Sequence, residues 1–228
     1  MVLDERLSLA AALYEPCELG ADIGTDHGLL PCHLLETGVC RRMILADVSP
    51  KALRHAEEQV RLCGLEERAR LVCADGLDAL NGPSGCVSVM GMGGGTIAEI
   101  LRRGRDRLQG AVLVLSAHTE QPLVREAVRD IGYHLTREAL CRAAGRFYVF
   151  WRAEPGAADM PEEGVRYGSL LWEEKSPLLG EYLRHRIQFT RSKLTGLLSA
   201  GVPDEAAIAQ VRRDLDWYLA KEENICWP

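Results

Sequence analysis

Glu18-Leu19-Gly20-Ala21-Asp22-Ile23-Gly24-Thr25-Asp26-His27-Gly28 is a short apolar run that breaks into glycine and acid directly before a helical pattern. Such a break lets a parallel strand end in a tight turn whose backbone, not its side chains, faces a bound ligand. A second apolar run, Met43-Ile44-Leu45-Ala46, ends in Asp47. In an α/β nucleotide-binding sheet this is the place of the acid that accepts two ribose hydroxyls. The turn does not read Gly-x-Gly-x-x-Gly, because Gly24 and Gly28 enclose Thr25, Asp26 and His27. A pyrophosphate on a helix N-terminus needs bare amides and no added anion. Asp26 therefore favours a ligand that is cationic at this point over a dinucleotide. S-adenosylmethionine, an adenosine with a sulfonium, an amino group and no phosphate, meets that requirement.

Outward from this loop, apolar runs alternate with helical periodicity through the first 150 residues or so, the pattern of a parallel sheet covered by helices on both faces. Strands are expected near 19–23, 43–47, 69–73, 86–90 and 111–115. Helices fit between them at 29–37, at 50–63 (opened by Ser49-Pro50), at 95–102 and at 120–131 (opened by Thr119, with Pro122 in its first turn). Tyr133 to Leu140 and Arg146 to Arg152 read as two further strands. Their link, Arg142-Ala143-Ala144-Gly145, is too short for a right-handed crossover, so they pair antiparallel. A parallel sheet closed by an antiparallel hairpin resembles the Rossmann-like class I methyltransferase sheet.

Glu154-Pro155-Gly156-Ala157-Ala158-Asp159-Met160-Pro161 is a linker by composition. Beyond it, Leu179, Leu183, Ile187, Leu194 and Leu197 or Leu198 repeat at helical spacing, Gly201 and Pro203 mark a stop and restart, and Ile208, Val211, Leu215, Tyr218 and Leu219 repeat again. Two antiparallel helices facing each other along apolar seams are expected. The expected division is thus 1–154, a cofactor-binding α/β domain, and 155–228, a linker with a small C-terminal α-helical hairpin that is coiled-coil-like.

Composition narrows the classes further. Of 228 residues, 47% are apolar and 26% charged, which suits a folded core and needs neither a disordered nor a membrane class. The first residues lack a basic region followed by an apolar one, and no apolar run reaches the ~18 residues of a membrane span. A cytoplasmic protein with no membrane partner is expected. Eight cysteines (17, 32, 40, 63, 73, 86, 141 and 226) form no Cys-x-x-Cys pair, a pattern of reduced thiols rather than disulfides or zinc, so no metal is expected. The net charge of −6 opposes broad adhesion to nucleic acid. Residues 166–228 carry nine basic and nine acidic side chains, so the acidic excess lies entirely in the first part. Arg102-Arg103-Gly104-Arg105-Asp106-Arg107 and Arg184-His185-Arg186 through Arg191 and Lys193 are local basic runs, and runs of this kind are commonly solvated faces.

Several segments together resemble one family. Asp22-Ile23-Gly24-Thr25-Asp26-His27-Gly28-Leu29-Leu30-Pro31 is similar to the cofactor loop of the bacterial tRNA (adenine-22-N1)-methyltransferases. Asp75-Gly76-Leu77, Gly91-Met92-Gly93-Gly94 and Tyr167-Gly168-Ser169-Leu170-Leu171 follow in the same order and spacing, and the resemblance covers nearly the whole chain. It implies a class I methyltransferase that moves a methyl group from S-adenosylmethionine to N1 of an adenine in tRNA. The chain departs from the family at Ser116-Ala117-His118, where an amide and a proline are usual, which bears on substrate position more than on cofactor use. Asp47 stands where many members carry Glu. Two alternatives stay open: the same fold acting on another RNA position, and a non-catalytic cofactor-binding protein that interacts with RNA.

The residues divide accordingly. Cofactor contacts are expected from Asp22, Gly24, Thr25, Asp26 and Gly28 around the methionine moiety, from Asp47 and Val48 at the ribose, from Asp75 and Gly76 at the adenine N6, and from Gly91. Methylation at N1 uses a lone pair that is already free, so no base need remove a proton, and positioning with electrostatics supplies the rate. Positive charge leaves sulfur and appears on the adenine. Asp26 is the candidate anion beside it, with His27 as a hydrogen-bonding or stacking partner. Each has a bland reading too, as a loop acid bonding backbone amides or a capping histidine. Gly91, Met92 and Gly93 form the expected platform for a base taken out of its stack, with Met92 or Tyr148 covering the ring. With RNA in view, Arg102, Arg103, Arg105, Arg186, Arg191 and Lys193 become candidate phosphate contacts. A monomer is expected, with dimerisation through the helical hairpin as the alternative.

Overall fold

The computed structural model describes residues 2–173, 176–200, 202 and 204–224. The chain divides into two compact units, 1–174 and 175–228. In the first, a seven-stranded sheet is built from β1 (Cys17–Ile23), β2 (Cys40–Asp47), β3 (Ala69–Cys73), β4 (Cys86–Met92), β5 (Val112–Ala117), β6 (Tyr133–Ala143) and β7 (Arg146–Pro155), in the order β3-β2-β1-β4-β5-β7-β6. The first five run parallel, and β7 is antiparallel to both β5 and β6, as the short link requires. That link is tighter than expected. Only Ala144 and Gly145 lie between the strands, both at positive φ (47° and 75°), the two-residue turn whose twist matches a hairpin.

The crossover helices are α2 (Leu29–Glu36), α3 (Pro50–Leu62), α4 (Gly94–Leu108) and α5 (Gln121–Asp130), preceded by α1 (Glu5–Ala12). Ser49 caps α3 by accepting from the Ala52 amide, with Pro50 at its first position. Thr119 does not cap α5: the residue before the helix is Glu120, in the left-handed region and without a capping hydrogen bond. α4 is longer than the expected 95–102, so the whole Arg102–Arg107 run lies on a helix instead of following one. α1 was not foreseen. Its signal is Asp4, whose carboxylate accepts from the Leu7 amide at 2.8 Å.

The expected domain boundary at 154/155 moves to 174/175. After β7 the chain forms α6 (Glu162–Tyr167) and α7 (Ser169–Glu173), which pack on α5 and β6. The cause is a buried ion pair. Arg125 of α5 and Glu138 of β6 meet at 2.7 Å with both side chains essentially inaccessible. Glu138 also accepts from the Trp151 indole at 2.6 Å and the Leu171 amide at 3.0 Å, while Arg125 donates to the Val165 carbonyl at 3.4 Å. Gly168 sits against the pair at φ 81°, where a Cβ would lie 2.6 Å from the Arg125 guanidinium. The Tyr167-Gly168-Ser169-Leu170-Leu171 segment is therefore the lid of this pair.

In the second unit α8 (Leu179–Leu198) and α9 (Glu205–Asn224) pack together. Leu179, Leu183, Ile187, Ile208, Val211 and Tyr218 of the expected seams are buried, whereas Leu198 is exposed. Gly201 and Pro203 lie outside the described residues.

Breaking one half of a desolvated pair leaves the other charge stranded. Glu138→Gln should lower unfolding free energy by about 3 kcal/mol, read from the urea midpoint, and Gly168→Ala should destabilise the same unit; a midpoint unchanged in both would contradict this role.

Candidate active site

The loop after β1 is held by its own backbone. The Gly24 and Thr25 amides both donate to the Ala46 carbonyl of β2, at 2.8 and 3.0 Å, and the Gly28 amide donates to Thr25 O at 2.9 Å. Gly24, Asp26 and Gly28 all have positive φ (78°, 43° and 66°). Gly28 opens α2 and packs on α3, where a Cβ would stand 3.2 Å from Ala56 Cα. Its role in the structure is thus close packing, and it lines neither cleft described below.

Two clefts share Gly24. The first is lined by Asp22, Thr25, Asp26, His27, Gly91 and Ser116 together with Arg6, His118, Tyr148 and Phe150. The second is lined by Asp47, Val48, Asp75, Gly76, Met92 and Arg103. The sequence-expected ribose and adenine carboxylates thus lie together in one cleft and the expected reacting groups in the other. Met92 belongs to the second cleft, its Cε seated against Gly24 so closely that a Cβ there would be only 2.2 Å away. Gly91, by contrast, bulges out of the β4–β5 ladder at φ 77° with open space where a side chain would be, and faces the first. Gly93 precedes α4, and Gly94 is fixed by packing: its amide donates to Thr119 O at 3.1 Å, and a Cβ would lie 2.4 Å from Glu120 O.

Asp22 is buried and accepts from Ser88 Oγ, which in turn accepts from Tyr14 OH at 2.6 Å. Burial raises the Asp22 pKa, and the Ser88 hydrogen bond only partly offsets it. The buried Thr25 hydroxyl stands beside Asp22 and favours its charged form. A buried acid and a buried hydroxyl on the wall of an open cleft suit a ligand carrying an ammonium and a carboxylate. Asp47 accepts from the Ser49 amide at 2.8 Å through one carboxylate oxygen and lines the second cleft. Asp75 is exposed and held low in pKa by the Arg103 guanidinium, 2.8 Å away. These donors and acceptors fit an S-adenosylmethionine-type cofactor.

At the mouth of the first cleft Asp26 and His27 are both exposed and meet at 3.6 Å. The His27 ring stacks on His55 of α3, with centroids 5.2 Å apart. Asp26, His27 and His55 each bring a ligand atom within 4.8 Å of the others, a grouping that cysteine spacing could not foretell. In the departing segment, Ser116 Oγ is occupied by the Val149 carbonyl at 3.0 Å, and His118 turns to Tyr148, ring centroids 6.1 Å apart. Arg6 covers the Tyr148 ring at 5.2 Å. Arg6, Tyr14, His55, Ser88 and His118 were missed as site residues because only the fold brings them here. For Tyr14 and Ser88 no sequence pattern carries a signal.

The basic candidates separate. Arg103 is engaged with Asp75 in the second cleft, and Arg102 with Asp130 (2.7 Å) and Glu126 (3.3 Å). Arg105 pairs with its neighbour Asp106 at 3.3 Å. In the second unit, Arg186 donates to Tyr218 OH at 3.1 Å and lies over that ring, whereas Arg191 and Lys193 are exposed. Arg102, Arg103 and Arg186 are thus occupied within the protein.

Carboxylates at the ends of neighbouring parallel strands, a glycine loop between them and an antiparallel closing hairpin define a class I methyltransferase. A family described as a methyltransferase domain matches residues 3–151, and the chain belongs to that family. It is 28% identical over 198 residues to the tRNA (adenine(22)-N(1))-methyltransferase of Bacillus subtilis, covering 83% of each chain. The crystal structure of the B. subtilis M1A22 tRNA methyltransferase is similar at a TM-score of 0.79 and 25% identity, over 97% of this chain and 96% of that one. A structure from M. capricolum in complex with S-adenosyl-homocysteine shares the fold at a TM-score of 0.83 and 22% identity, over 98% and 99%. Among the described residues no helix is long and apolar enough to cross a membrane.

Gly24→Ala forces a side chain into a positive-φ position against Met92. A loss of S-adenosylhomocysteine affinity of at least about tenfold is expected by calorimetry, with the circular dichroism spectrum kept; unchanged affinity would show that the shared glycine is not the cofactor's seat.

Proposed function

We propose that this protein transfers a methyl group from S-adenosylmethionine to N1 of an adenine in tRNA, adenine 22. The observation that carries the reading is the pairing of two clefts that share Gly24: Asp47 and Asp75 line one, and Asp22 lies in the other beside a mouth bordered by Arg6 and aromatic rings. The likeness to the B. subtilis enzyme runs through both halves of the chain and supports the choice of substrate. The cofactor supplies a methyl group activated on a sulfonium. Asp22 and Thr25 hold its amino-acid end, Asp47 and Val48 its ribose, and Asp75 with Gly76 its adenine. Gly91 leaves room for the target ring against the bulged backbone. Tyr148, with Arg6 on its ring, and His118 border the ring's entry. Asp26 stabilises the positive charge that develops on the adenine, and His27 is steadied beside it by His55. The nucleophile carries no proton that must leave, so none of these groups has to act as a base.

Arg191 and Lys193 are the remaining exposed phosphate contacts on the helical hairpin, which serves to grip tRNA, and Arg105 offers a weaker one. The protein acts as a cytoplasmic monomer.

Asp26→Asn should lower kcat for N1-methyladenosine formation by about 10- to 100-fold, with cofactor and tRNA Kd unchanged. Full turnover in this variant would remove Asp26 from the reaction. A second expectation concerns pH. The raised pKa of Asp22 means that its charged form is lost at a higher pH than an ordinary carboxylate's, so cofactor affinity should weaken as pH falls through that raised pKa. Binding of the ammonium should release a proton in the same window. In Asp22→Asn both effects should vanish, which calorimetry in buffers of different ionisation enthalpy detects; a wild-type affinity flat down to the ordinary carboxylate range would refute the contact.

A further inference from the structure

Cys17 and Cys40 are the first residues of β1 and β2 and stand opposite each other in the parallel ladder. Their Sγ atoms are 3.4 Å apart. Neighbouring strands run ~4.8 Å apart, within the Cα separation of about 4.4–6.8 Å that a disulfide bridges. Joining the two sulfurs asks for a small closure at the strand starts, where Glu15 and Pro16, just before Cys17, are exposed. Cys17 is half-buried and Cys40 fully buried, so an oxidant arriving from solvent meets Cys17 first.

The thiols differ in chemistry as well as in access. The hydrogen bond from Cys40 holds the Cys17 thiol below its ordinary pKa, and the same contact, with burial, pushes Cys40 far up. Burial raises Cys86 as well, raises Cys32 to about 12 and raises Cys141 to about 11. Cys63 is half-buried and Cys73 exposed. Cys17 alone among the described cysteines combines access, a lowered pKa and a second sulfur already in contact.

We propose that Cys17 and Cys40 form a peroxide-reactive thiol pair that closes to a disulfide across the starts of β1 and β2. The Cys17 thiolate attacks one oxygen of a hydroperoxide. An S–O bond forms as the O–O bond breaks, leaving a sulfenic acid and expelling an alkoxide, or hydroxide when the oxidant is hydrogen peroxide, which takes from solvent the proton the thiol had given up and leaves as the alcohol or water. The Cys40 sulfur then attacks the Cys17 sulfur. The S–S bond forms, the S–O bond breaks, and the departing hydroxide takes the Cys40 proton and leaves as water. Two thiols lose two electrons and one hydroperoxide gains them.

The pair lies at the amino ends of strands whose carboxyl ends carry Asp22 and Asp47, and neither cysteine lines either cleft. The bridge closes a loop that contains β1, the Gly24–Gly28 turn and α2. Oxidation should therefore stabilise the cofactor-bearing segment without blocking it.

Full-length protein treated with a slight excess of hydrogen peroxide, alkylated and digested, should yield a linked 17–40 peptide that dithiothreitol reverses. Its thermal midpoint should rise by several degrees, roughly 5 °C, and S-adenosylhomocysteine affinity should stay within about twofold. In Cys40→Ser the reaction should stop at a Cys17 sulfenic acid that dimedone captures. A Cys17 thiol still alkylatable after peroxide treatment would overturn the proposal. So would its conversion to sulfinic acid in the wild type, or a cross-link between other cysteines in its place. The wild-type peptide map decides even if a variant fails to fold.

Discussion

One carbonyl carries much of this molecule's logic. Ala46 O, at the end of β2, accepts from both Gly24 and Thr25 and so ties the turn after β1 to the neighbouring strand. The parallel register brings Ile23 beside Ala46 and Asp47 beside Cys73, so the three strand ends finish side by side. Asp22, Asp47 and Asp75 inherit their spacing from that backbone arrangement. A turn pinned by two amides has no freedom to drift, and positive φ at Gly24, Asp26 and Gly28 gives it the shape to leave the sheet at once. Preorganised placement is what a reaction without proton removal requires.

A second device secures the far side of the sheet. Arg125 and Glu138 are stripped of water, and the pair is tolerable because the Trp151 indole, the Leu171 amide and the Val165 carbonyl complete its hydrogen bonds. This need draws α6 and α7 into the first unit. It gives Gly168 a mechanical reason, since any side chain there would strike the guanidinium. The same β7 that carries Trp151 also presents Tyr148 and Phe150 to the first cleft, so the packing on one part of the strand steadies the cleft wall on another.

Much of this was legible in the sequence, for identifiable reasons. Strand alternation, the Ser49-Pro50 cap and the glycine–acid break are local signals, and they located the five parallel strands and the turn after β1. Asp47 and Asp75 were legible as strand-end acids, and the structure places both in the second cleft. Gly28 reads as a ligand-facing glycine, yet its cause is close packing on Ala56, which depends on an element distant in sequence. The linker at 154–161 is a connection between β7 and α6, as its composition indicates, but the unit closes later, at 174, and only the buried ion pair shows where. Tyr14, Ser88, His55 and Arg6 meet the site from separate elements, and their side chains carry no distinguishing pattern. Arg102, Arg103 and Arg186 read as free cations because sequence does not show their acidic and aromatic partners.

In the proposed function the loop pinned to Ala46 serves methyl transfer to N1 of one tRNA adenine. Mass spectrometry of unmodified bulk tRNA after incubation with the protein and S-adenosylmethionine, with N1-methyladenosine quantified and mapped by fragment, tests this at the product. A single new mark at adenine 22 is expected. Cofactor-binding protein that leaves tRNA unmodified, or marks a different position, would contradict it.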